Sequence, residues 1–150
     1  MKEYYDSYDI RKLTSEQVTT ENFSEIIMTY RILKDSNDFE EYWDPYEIED
    51  ISQFKKIICD GGHNYWGDHV LIQLLMMKFK INILILESDF ENNVFTPYLF
   101  SEYNKDNKTI ILEFCNKCHF CLIGYFENKM ISLFENKDIP VEIKRLYNIV

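Results

Sequence analysis

Hydrophobic and polar positions recur with two different periods along this chain, and the change of period divides it. Residues 1–17 are polar and weakly patterned, although DIRKLTSEQV places Ile10 and Leu13 on one side of a possible short helix. Thr19-Thr20-Glu21 has the make-up of a helix start, with a threonine cap and acids in the first turn. Phe23, Ile26, Ile27, Tyr30 and Leu33 then follow at helical spacing, which predicts an amphipathic helix ending near Asp35. Residues 36–47, SNDFEEYWDPYE, predict a loop. Ile48, Ile51, Phe54, Ile57 and Ile58 mark a second, shorter helix, which the turn residues of CDGGHN end. Asp68 is placed to cap a further helix with Leu71, Leu74, Leu75 and Phe79 on one face.

Beyond this point the pattern is that of strands. Asn82 interrupts the helical pattern, and INILILE, 81–87, short and rich in β-branched residues, predicts a buried strand. Residues 88–108 predict a polar loop. TIILEF, CHFCLIGYF and MISLF predict three more strands joined by the short turns CNK and ENK. Pro140 suits the first turn of a final helix, VEIKRLYNIV. The predicted fold class is α+β: helices packed on a small, mostly antiparallel sheet, in one domain over 1–150.

Composition narrows the function. The chain has 150 residues, 46% of them hydrophobic, which is enough for one core without disulfide staples. Its net charge of -10 argues against nucleic-acid binding, which needs a cationic face. The N-terminus MKEYYDSYDIRK lacks the apolar segment of a signal peptide, and no apolar stretch reaches the length of a membrane span. A cytoplasmic or otherwise intracellular protein is therefore expected. Its four cysteines are expected to be free, metal-bound or reactive rather than paired.

Candidate chemistry concentrates in CNKCHFC. Cys115, Cys118, His119 and Cys121 offer four potential zinc ligands within seven residues. Strand alternation opposes that reading, because Cys118 and His119 would point to opposite sides of a sheet. No C-x-x-C exists outside this segment, and Cys59, His63 and His69 match no standard zinc spacing. C-x-x-C-H is also a haem-attachment pattern, but that chemistry belongs to exported proteins. No cofactor is expected. The same segment offers His119 as a general base at the start of a strand, sharing a face with Cys121, Ile123 and Tyr125. The bland alternative is a histidine that caps the strand or satisfies a carbonyl.

YWGDHVLIQLLMMKFKINILIL resembles the middle of the OTU (ovarian-tumour) cysteine proteases, which are deubiquitinases: a Trp-Gly, a helix, then a core strand. DIRKLTSEQVTTENF resembles their leucine-arginine segment followed by a threonine-capped helix. CHFCLIGYF resembles the family strand that opens on the catalytic histidine and an aromatic residue. LFENKDIPVEIKRLY is similar to members from large DNA viruses. The resemblance runs from about residue 9 to about residue 147. It implies a papain-like fold, His119 as the general base, Phe120 as the aromatic after it, Trp66 and Gly67 as structural or loop-shaping residues, and ubiquitin or a ubiquitin-like protein as partner. An acidic surface suits ubiquitin's basic recognition face.

The family's nucleophile motif, Asp-Gly-x-Cys before the leucine-arginine segment, has no counterpart here. Cys59-Asp60-Gly61 contains similar residues in the wrong order and place, and Cys121 stands where some members carry the third triad residue. The expectation is an N-terminally truncated domain, inactive or nearly so, since a base without its nucleophile cannot form an acyl-enzyme. The alternatives are a non-catalytic ubiquitin- or protein-binding module on an OTU-like fold and, more remotely, a zinc protein using Cys115, Cys118, His119 and Cys121. Cys118 and Cys121 are otherwise expected to be packing residues.

Overall fold

A computed structural model of the chain describes residues 7–60, 68–89, 91, 94–98, 102–115 and 119–149. The chain falls into two compact units, Met1–Lys78 and Phe79–Val150.

The first unit is helical: α1 (Ser7–Ser15), α2 (Phe23–Asp35), α3 (Ile51–Cys59) and α4 (His69–Phe79). Its helix starts follow from the sequence. Thr19 and Asn22 exchange bonds ahead of α2: the Thr19 N–H donates to Asn22 Oδ1 at 2.7 Å and the Asn22 N–H donates to Thr19 Oγ1 at 3.4 Å. This is a capping-box arrangement with asparagine in the acceptor position usually held by Glu or Gln. Asp50 caps α3 by accepting from the N–H groups of Ser52 and Gln53. Asp68 caps α4 by accepting the Leu71 N–H at 3.0 Å. The helical faces bury Val18, Ile27, Tyr30, Phe54, Ile58, Val70 and Leu74 together.

The acidic stretch 36–47 is a loop, as its composition predicts, but two of its aromatics are part of the core packing. Phe39 and Trp43 set their rings edge-on to Tyr30, with centroids 5.9 and 5.0 Å away. Arg11 of α1 reaches across to α3 and donates to the carbonyl of Ile58 at 3.2 Å, satisfying an orphan acceptor near that helix's end.

The second unit is a sheet with one helix. Its strands are β1 (Ile81–Asp89), β2 (Val94–Tyr98), β3 (Lys108–Cys115), β4 (His119–Ile123), β5 (Tyr125–Phe126), β6 (Met130–Ile131) and β7 (Leu133–Phe134); α5 spans Val141–Leu146. The main sheet runs β2-β1-β3-β4, with β7 also pairing to β3, and β5-β6 form a separate two-stranded ribbon. The α+β class is as expected, and most pairings are antiparallel. The central pair is not: β1 and β3 are parallel, from Ile81↔Lys108 to Glu87↔Phe114. A strand inside the expected loop 88–108, β2, is what carries the chain back so that β3 can run alongside β1.

Two expected strands are each divided. CHFCLIGYF breaks at Gly124, where an added Cβ would lie 2.6 Å from the Ile131 carbonyl oxygen. The backbone passes too close to β6 there for any side chain. Tyr125 falls in the next strand, β5, where its ring lies 6.1 Å from that of Phe134. MISLF divides into β6 and β7 at Ser132.

One face of the main sheet carries Leu84, Leu86, Ile111 and Phe134, and these pack with Ile139 and Tyr147 from the C-terminal segment into a second core. The Tyr147 hydroxyl donates to the carbonyl of Ile85. Among the described residues no helix is long and apolar enough to cross a membrane.

Candidate functional site

His119 is the first residue of β4, at the edge of the main sheet, and its side chain is exposed. Its position follows from the hairpin. Three residues, 116–118, connect β3 to β4, so Cys115 and His119 become direct partners and Glu113 pairs with Cys121. Alternation then places Glu113, Cys115, His119 and Cys121 on one face, the face that carries Ile111 and Ile123 farther along. The core covers that face near Ile111 but not at this end, where His119 and Cys121 are exposed and Cys115 is half-buried.

The two thiols meet each other. Cys115 Sγ donates to Cys121 Sγ at 3.2 Å, and it also lies 3.8 Å from the Glu113 carbonyl oxygen. This bond to Cys121, then partial burial and the nearby negative groups, push the Cys115 thiol up to about 11. Catalytic cysteines require the opposite shift, because the thiolate is the nucleophile. Cys115 thus stands opposite the histidine yet keeps its proton. The expectation that Cys121 is a packing residue is corrected: it is exposed and held against a second sulfur.

No hydrogen bond ties the His119 imidazole to another group among the described residues. An orienting acid for a triad is therefore not in place there, although Glu113 occupies the neighbouring diagonal position. The bland reading of His119, as a group satisfying a carbonyl, finds no such bond either.

Cys59 belongs to the helical unit, at the last residue of α3, and its Sγ donates to Ser15 Oγ at 3.4 Å. It faces the carbonyl end of a helix. A nucleophile activated by a helix sits at the amide end, where the dipole favours negative charge.

Among the described residues no group of three or more His, Cys, Asp or Glu side chains is placed to hold a metal ion. Cys118, His63, Gly61, Trp66 and Gly67 lie outside the described residues. The turn expected at CNK, 115–117, would leave Cys115 out of the ladder; β3 instead runs to Cys115 and pairs it directly with His119, whereas alternation along β4 alone connects His119 only to Cys121.

Comparison with known proteins yields no matching family model, no matching curated protein and no matching solved structure.

Proposed function

We propose that this chain is an OTU-like domain that recognises ubiquitin or a ubiquitin-like protein without turning it over. The observation that carries this reading is the state of the thiol opposite His119. Its bond to Cys121 pushes the Cys115 thiol up to about 11, so the residue best placed to use a histidine base is a poor first nucleophile at neutral pH. His119 itself supports the resemblance, as an exposed histidine opening a sheet strand and followed by Phe120. The helix-then-strand order of α4 and β1 supports it too. An acidic chain, with a net charge of -10, favours encounter with a basic recognition surface.

Incubation with ubiquitin bearing a cysteine-reactive C-terminal electrophile tests the catalytic half of this reading. Intact mass should show the unmodified chain. A ubiquitin adduct on Cys59, Cys115, Cys118 or Cys121 would show that a nucleophile operates after all. Titration with unmodified ubiquitin tests the binding half.

A further inference from the structure

The Cys115–Cys121 contact has a chemistry of its own that recognition of a protein partner does not use. The two sulfurs are 3.2 Å apart, about an ångström more than a disulfide bond of ~2.05 Å. They come from adjacent antiparallel strands at diagonal positions, Cys115 being paired with His119 and Cys121 with Glu113. Diagonal positions in a flat sheet are usually too far apart to bridge, roughly 7–8 Å between residues. Here the two side chains nonetheless bring their sulfurs into contact. Cys115 is also the last residue of β3, so the ladder continues on only one side of it. Cys121 is exposed and Cys115 is half-buried, which leaves one sulfur open to a solute and the other held behind it.

From this geometry we infer that Cys115 and Cys121 form a reversible intramolecular disulfide in response to hydrogen peroxide. In the first step the exposed Cys121 sulfur attacks one peroxide oxygen. The O–O bond breaks, a sulfenic acid forms and one water leaves. In the second step Cys115 gives up its proton to solvent base and its thiolate attacks the Cys121 sulfur; the S–O bond breaks, the S–S bond forms and the departing hydroxide takes up a proton as a second water, a step that quickens as pH rises toward about 11. Two thiols are oxidised and one hydrogen peroxide is reduced, and the thiol protons end in the two waters. A dithiol such as dithiothreitol reverses the change by thiol–disulfide exchange. The bond ties the edge strand β4 to β3 beside His119, so the redox state sets how firmly that edge is held.

Cys118 lies between the two in the sequence and is the natural competitor, so the test removes it. Reduced, chelator-treated full-length chain, wild type and Cys118→Ser, is exposed to a small excess of hydrogen peroxide and then alkylated. Both should lose two alkylatable thiols with a mass decrease of two hydrogens. Trypsin cuts after Lys108, Lys117 and Lys129, so the bond should join fragment 109–117 to fragment 118–129 in Cys118→Ser. Cys115→Ser and Cys121→Ser should form no such link. Loss of the link in Cys118→Ser, a bond that includes Cys59, or a disulfide-linked dimer would overturn the inference. Should either serine variant fail to fold, the fragment map of oxidised Cys118→Ser decides the matter alone.

Discussion

Cys115 and His119 are direct partners across the β3–β4 ladder, yet the Cys115 thiol hydrogen bonds to Cys121 and not to the imidazole. Proximity in register therefore does not make a catalytic pair. His119 is exposed and without a described hydrogen-bond partner, so its removal should cost little. His119→Ala should change unfolding free energy by no more than about 0.5 kcal/mol in a denaturant melt. A loss several times larger would mean that the imidazole is a structural group.

Asp68 holds two elements of the helical unit at once. One carboxylate oxygen accepts the Leu71 N–H at the start of α4, and the other accepts the hydroxyl of Tyr30 at 2.8 Å. Tyr30 is fully buried in the aromatic cluster. Asp68→Ala should destabilise the chain by about 1–3 kcal/mol, combining a lost cap with a weakened buried hydroxyl contact. Asp68→Asn keeps a capping oxygen and should lose less. Equal losses in the two variants would show that charge, and not the cap, is what matters at this position.

Asn82 interrupts an apolar run in the sequence, and its burial explains why it is there. Its amide nitrogen donates to the carbonyls of Asn104 and Asn107 at 2.8 and 3.2 Å, and its oxygen accepts the Asn104 N–H at 2.9 Å. One side chain thus holds the turn that leads into β3. Asn82→Ala should cost about 2–3 kcal/mol, because it orphans backbone groups around a 1% exposed site. Asn82→Leu, although a better strand former, should not restore the loss. Recovery with leucine would show that hydrophobic burial outweighs the network.

How legible these features are depends on whether neighbouring residues or distant ones decide them. The caps at Thr19 and Asp68 involve residues three apart and are readable from spacing. β1 is readable from its apolar run. β2 is not, because VFTPY contains a proline and is mostly exposed, as an edge strand allows. The break at Gly124 depends on the approach of Ile131, which no single-strand pattern contains. In the candidate site, His119 is conspicuous as a residue type. Its thiol neighbour follows only from hairpin register, and the sulfur contact follows only from side-chain geometry.

Tyr147 gives the sheet unit an alkaline limit. Burial pushes its phenol up to about 12, against about 10 in an unfolded chain. The folded state favours the neutral form, so this contribution is complete below about pH 10 and is lost as pH rises through about 12. Denaturant midpoints should therefore fall over that interval. Tyr147→Phe cannot ionise there, so it should show a shallower decline, while lacking the hydrogen bond to Ile85 at neutral pH. An unchanged alkaline slope in Tyr147→Phe would assign the decline to other groups.

Recognition of ubiquitin by a non-catalytic chain is tested most directly by adding unlabelled ubiquitin to the isotopically labelled protein and following backbone amide shifts. Saturable shifts should centre on β4 around His119, with no covalent adduct accumulating. An unchanged spectrum at the highest ubiquitin concentration would contradict the proposed function and leave the α+β fold without a ubiquitin partner.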